Sequence, residues 1–265
     1  MTVRIPTPDG PNTSEAYTID FRETAPAAAN APMYVGRPMD AVIGGLSVGV
    51  PGELRGLEEM HRRWGSLSWK ELVEPSVELA KGWKVSKELE RRIEMFDALM
   101  HNSPDWKAIF APKGCLLREG DVIRRVALSR TLATIAEEGP GAFYSVRRTV
   151  SINVQHAHLA KGPIAESLVQ KIQRSGGIMT LQDFADYSVI VRPALEGSYR
   201  GKKVYTTHAP TSGPVLLHML NLLEQFGDFV EGGRTSLNMH RVIEIMKCKS
   251  HLLVLLSMLL IMELV

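Results

Sequence analysis

The sequence predicts a mixed α/β (α+β) fold, rich in helix. Three observations carry the prediction. Apolar residues recur three or four apart in 52–64, 126–138 and 214–226, the spacing of one helix face. Alternating or β-branched runs at 17–21, 187–192 and 203–207 read as strands. Glycine and proline separate these runs, so helices and strands alternate along the chain. Composition agrees: 45% hydrophobic and 23% charged residues exclude a wholly disordered chain of 265 residues. A net charge of +2, with Lys and Arg scattered among acids, argues against nucleic acid as a partner. The two cysteines, Cys115 and Cys248, cannot make a disulfide scaffold or a four-cysteine zinc site.

The elements follow in order. Residues 1–38 are turn-rich, with prolines at 6, 8, 11, 26, 32 and 38, and only Tyr17–Phe21 alternates like a strand. Ala41–Val50 is small, apolar and surrounded by glycines, and reads as a buried, closely packed strand or loop. Pro51 opens a helix over 52–64 with Leu54, Leu57 and Met60 on one face, and Gly65 ends it. Ser68-Trp69-Lys70-Glu71 is a capping box, opening a helix to about Lys81 that Pro75 should kink or split. Ser86–Met100 reads as a further helix. Val126–Glu138 runs to Gly139-Pro140, and Pro163–Ser175 runs to Gly176-Gly177. Thr180 and Asp183 cap a short helix. Tyr187–Arg192 and Lys203–Thr207 are strands joined through a turn at Arg200-Gly201. Pro214–Phe226 is a helix with a broad leucine face.

Few residues carry chemistry by pattern alone. Gly45-Leu46-Ser47-Val48-Gly49 matches the nucleophile elbow of serine hydrolases, which needs a strand, a sharp turn and an immediate helix. Here the helix starts after Pro51, so a packed glycine loop is the better reading of Ser47. Arg22 could grip a carboxylate with its planar fork, or form an ion pair with Asp20 or Glu23. Thr211-Ser212-Gly213-Pro214 precedes a helix and could cap it or bind an anion. His156 and His158 lack a third metal ligand nearby, Cys115 is a lone thiol, and Cys248 lies between Lys247 and Lys249 without a catalytic partner. No metal site and no cofactor are expected. The apolar run Leu252–Met262 is too short for a membrane span, which needs roughly 20 residues. Met1 opens a polar stretch without the apolar core of a secretory signal, and the sequence assigns no compartment.

Several longer stretches resemble the γ-glutamyltranspeptidase (glutathione hydrolase) family. They are DFRETAPAAA (Asp20–Ala29), GGLSVGVPGELRGLEEMHRRWG (Gly44–Gly65), LSWKELVEPSVELAKGW (Leu67–Trp83), LREGDVIRR (Leu117–Arg125), GPGAFYS (Gly139–Ser145), the run Gly162–Gly201, and APTSGPVLLHMLNLLEQF (Ala209–Phe226). They stand in family order, and the combination is specific where no single piece is.

The resemblance implies an αββα sandwich of the N-terminal-nucleophile hydrolases, cut from a precursor into a large and a small subunit. In that family the small subunit's N-terminal Thr attacks the γ-glutamyl amide of glutathione, its own amine serves as base, and the acyl group passes to water or an amino acid. Every matched stretch here belongs to the large subunit. Arg22 stands where the family's Arg holds the α-carboxylate of the γ-glutamyl group, so it is the expected substrate-binding residue. The resemblance also explains 44–52 as structural and weakens the case for Ser47.

Three departures shape the expectations. The family's opening segment is absent before Asp20. Val146–Lys161 interrupts the family pattern and is expected to be an exposed loop, the translation of a retained intron. Resemblance stops near Cys248, leaving 248–265 as an out-of-family apolar tail after a partial large subunit over 1–247. The nucleophilic Thr lies outside the chain, so no catalytic residue is assigned. The chain is expected to be inactive without a small-subunit partner. The alternatives are a non-catalytic binding or regulatory fragment, or a serine hydrolase using Ser47.

Overall fold

The computed structural model describes residues 1–7, 13–144 and 164–247. The expectations placed on Val146–Lys161, His156, His158, Cys248 and 248–265 lie outside the described residues. The chain divides into two compact units: Met1–Phe21 together with the chain from Val189 onward, and Arg22–Ser188.

The first unit is built on strands. β1 (Thr2–Pro6) pairs antiparallel with β2 (Ser14–Asp20), from Thr2↔Thr18 to Pro6↔Ser14. β2 pairs on its other edge with β5 (Ile190–Pro193), from Tyr17↔Pro193 to Asp20↔Ile190. The central strand is therefore β2, and its Ile19 is fully buried. The turn-rich reading of 1–38 missed β1. Its signal, Val3 and Ile5 alternating with polar neighbours, is short and ends on Pro6, which a strand tolerates at its end.

β6 (Leu195–Tyr199) and β7 (Lys202–Thr206) form a hairpin, with Leu195↔Thr206 and Tyr199↔Lys202 paired. The turn at Arg200-Gly201 is where the sequence placed it. Both residues have positive φ, 49° and 72°, as two-residue hairpin turns with a matching twist demand. The partner differs from expectation: β7 pairs with β6, while β5 joins β2. α10 (Gly213–Glu224) packs on this hairpin through buried Val215 and Leu217, while Leu216 is 44% exposed, so the buried face is narrower than the leucine count implied. Residues 236–247 form a further helix.

The second unit is mostly helical. α1 (Glu53–Trp64) ends at Gly65, and its buried position is Gly56 rather than Leu57, which stays exposed. α2 (Trp69–Lys81) carries the expected capping box, with Ser68 and Glu71 satisfying each other's backbone amides. Pro75 sits inside α2 without splitting it. Packing holds the helix together: α2 lies along α6 (Val126–Glu138), where the buried Ser129 hydroxyl donates to the Val77 carbonyl at 2.9 Å and the Trp69 indole to that of Ile135 at 3.0 Å.

Between them, β3 (Trp83–Lys84) and β4 (Val122–Ile123) bracket a small core of Val85, Ile93, Met100 and Ile123. The helix expected over 86–100 is broken. α3 (Lys87–Met95) stops at Phe96, α4 (Asp97–Asn102) follows, and α5 (Pro104–Phe110) starts anew. Pro104 explains the last break, because the residue before a proline avoids the helical region and the proline itself suits a first turn. α7 (Gly141–Tyr144), α8 (Ile164–Arg174) and α9 (Leu181–Asp186) complete the unit, the last with the expected Thr180–Asp183 box.

Candidate functional site

Arg22 begins the second unit, and its surroundings there define the candidate site. Its guanidinium side chain is 65% exposed and its Nε lies 3.5 Å from the Glu23 carboxylate. The ion pair weighed from sequence is thus present. At that exposure it is loose and exchangeable for another carboxylate. The backbone beneath it is held firmly. The Tyr187 hydroxyl donates to the Arg22 carbonyl at 2.7 Å. Thr24 and Val50 form an isolated antiparallel bridge, with N–H···O distances of 3.3 and 2.8 Å. The Ala27 amide donates to the Asp183 carboxylate at 2.7 Å. Burial alone would raise the Asp183 pKa, but the amide of Ala27 and the hydroxyl and amide of Thr180 outweigh it and hold the group below 3.8.

Tyr187 stacks on Tyr144, with ring centroids 6.2 Å apart and planes 20° apart, beside Phe143 and the fully buried Phe184. Tyr144 in turn donates its hydroxyl to the Pro51 carbonyl at 2.8 Å, under the Arg55 guanidinium. Burial pushes the Tyr144 hydroxyl up to about 12, so it stays a donor. Sequence reasoning missed both tyrosines. Tyr187 was read as the start of a strand, whereas the strand begins at Ile190 and Tyr187 turns into the core. No local signal marks a tyrosine whose partner lies 165 positions away.

The other sequence candidates make local contacts of their own. Ser47 ends a single 3₁₀ turn and donates its hydroxyl back to the Gly44 carbonyl at 2.8 Å, with no helix before Glu53. That is not the strand–turn–helix of a nucleophile elbow. The stretch 41–50 is only partly buried as expected: Val42 and Ile43 are 69% and 57% exposed, while Gly45 is buried. A Cβ on Gly45 would lie 2.2 Å from the Ile172 carbonyl oxygen and 2.4 Å from the Gly177 nitrogen. Gly45 therefore serves close packing against the end of α8, while a Cβ on Gly49 would meet Glu23 and Thr24 at 3.1–3.3 Å.

In the first unit, Ser212 makes no side-chain cap to α10. Thr211 instead accepts the Gly213 amide and donates to the His208 carbonyl. Cys115 is an exposed thiol. Among the described residues no group of His, Cys, Asp or Glu is placed to hold a metal ion, and no helix is long and apolar enough to cross a membrane.

Solved gamma-glutamyltranspeptidases superpose on this mixed helix and sheet, which places it with the N-terminal-nucleophile hydrolase fold. The family model for gamma-glutamyltranspeptidase matches residues 10–251, and the chain belongs to that family. It is 39% identical over 249 residues to a glutathione hydrolase of Aspergillus flavus, covering 92% of this chain and 38% of the relative. A glutathione hydrolase proenzyme of Arthroderma benhamiae is 38% identical over 85% of this chain and 37% of its own length. The chain thus spans less than two fifths of the length of these relatives. Among solved structures, the gamma-glutamyltranspeptidase of Helicobacter pylori superposes with a TM-score of 0.80 at 28% identity, covering 94% of this chain and 68% of that one.

Proposed function

We propose that this chain supplies the large-subunit portion of an enzyme that transfers the γ-glutamyl group of glutathione, or of related γ-glutamyl compounds, to water or an amino-acid acceptor. In this reading Arg22 binds the α-carboxylate of the γ-glutamyl group through a two-pronged hydrogen bond. A threonine at the N-terminus of the small subunit, outside these residues, attacks the γ-carbonyl carbon. The amide C–N bond breaks, the threonine's proton passes through its own amine to the leaving nitrogen, and an ester remains. Water or an amine then displaces the threonine oxygen and regenerates it. The observation that carries the reading is the family match over 10–251 together with the Arg22 motif, whose guanidinium is exposed on an immobilised backbone.

In the same proposal residues 1–247 are the large-subunit portion, 146–161 a translated intron and 248–265 an out-of-family tail. The 265 residues alone are then inactive. The test measures release of p-nitroaniline from γ-glutamyl-p-nitroanilide by the chain alone and after co-expression with the remaining portion of the Aspergillus flavus relative. Activity only in the co-purifying complex, with a large rise in KM for Arg22→Ala, is expected. Activity of the chain alone, a complex that fails to form, or an Arg22→Ala variant with unchanged KM would overturn it. Loss of activity on Ser47→Ala would instead point to the serine-hydrolase alternative.

A further inference from the structure

We propose that Tyr187 is a positioning residue for Arg22, orienting its guanidinium for the γ-glutamyl carboxylate. The inference rests on the reading of Arg22 as the substrate contact. The Thr24↔Val50 bridge ties the Arg22 segment to the start of α1. Two stacked tyrosines grip the two segments that the bridge joins, Tyr187 at the Arg22 carbonyl (2.7 Å) and Tyr144 at the Pro51 carbonyl (2.8 Å). Both rings are buried, 8% and 1% exposed, within the cluster that includes Phe184.

A bond to the residue 22 carbonyl fixes the plane of the peptide that follows Arg22, and with it the ψ angle from which the side chain departs. The Arg22 side chain is 65% exposed, with its Nε 3.5 Å from the Glu23 carboxylate. Pre-setting a binding group lowers the ordering cost of binding, so the hydrogen bond acts on donor affinity rather than on the chemical step.

Tyr187→Phe removes only the hydroxyl and keeps the stacked ring. In the active complex used for Arg22, the expected result is a KM for the γ-glutamyl donor raised roughly 5- to 10-fold, with kcat within about 2-fold of the parent. In the Arg22→Ala background the same change should leave KM unaltered, because its effect passes through Arg22. Ser129→Ala, which removes another hydroxyl-to-carbonyl bond within the same unit, serves as a control and should leave KM unchanged.

If Arg22→Ala raises KM while Tyr187→Phe does not, the positioning role is refuted and the substrate role of Arg22 stands. If Arg22→Ala itself has no effect, the substrate reading fails first. Circular dichroism checks that the Phe variant is folded. A variant that unfolds, or one that raises KM equally in the Arg22→Ala background, overturns the proposal in favour of a purely structural tyrosine.

Discussion

Gly45→Ala offers the sharpest test of how the Gly44–Gly49 loop is built. The added Cβ would sit 2.2 Å from the Ile172 carbonyl oxygen, 2.4 Å from the Gly177 nitrogen and 2.8 Å from the Gly177 Cα. All three are backbone atoms, so no side chain can swing aside. Either the loop or the end of α8 must move by about an ångström, and overpacking of this kind costs about 1–3 kcal/mol. The same shift strains the Gly45 amide bond to the Ser175 carbonyl, 2.9 Å long, whose loss adds about 1 kcal/mol. The sum, about 2–4 kcal/mol, should lower the thermal midpoint of the 265-residue chain by roughly 5–15 °C. Gly141→Ala is the matched control: its Cβ would meet no described atom within 4 Å, and it lies in α7. Alanine there should be neutral or stabilise by about 0.4–1 kcal/mol. Thermal unfolding followed by circular dichroism reads both. A Gly45→Ala midpoint within about 2 °C of the parent would refute the packing argument.

Two further predictions concern stability. Ser68→Ala removes the cap that accepts the Glu71 amide, and should destabilise by about 1 kcal/mol in urea unfolding; an unchanged midpoint would show that the box contributes nothing. Asp183 has a folded pKa depressed below 3.8, so its contribution is fully present above that value and is lost as pH falls below it. Asp183→Asn should therefore be less stable than the parent at neutral pH, and the gap should narrow below about pH 4. A gap independent of pH would mean that the carboxylate charge is irrelevant. With the Arg22 and Tyr187 kinetics, the Asp183 measurement tests the same segment from both ends, because Asp183 holds Ala27 and Tyr187 holds Arg22.

The sequence by itself determined the family and those local elements whose start and stop signals lie beside them. Both capping boxes, the ends of α1 and α6 at glycine, and the turn at Arg200-Gly201 were legible because each signal spans a few residues and acts through backbone geometry next to it. The family was legible for a different reason: several stretches in family order matched it together, and the proposed role of Arg22 comes only from that resemblance. Pro75 shows the limit of local rules, since packing of α2 on α6 overrides a helix breaker.

Tertiary structure alone decided the rest. Strand β2 takes β1 and β5 as its neighbours, though β5 starts at Ile190, and no periodicity names a partner so distant. The division into units, in which Met1–Phe21 joins the chain from Val189 onward, has the same origin. So does the Tyr187 bond to the Arg22 carbonyl. Local signals report how a residue bends its own backbone, whereas strand pairing and carbonyl anchoring depend on which distant surfaces fold together.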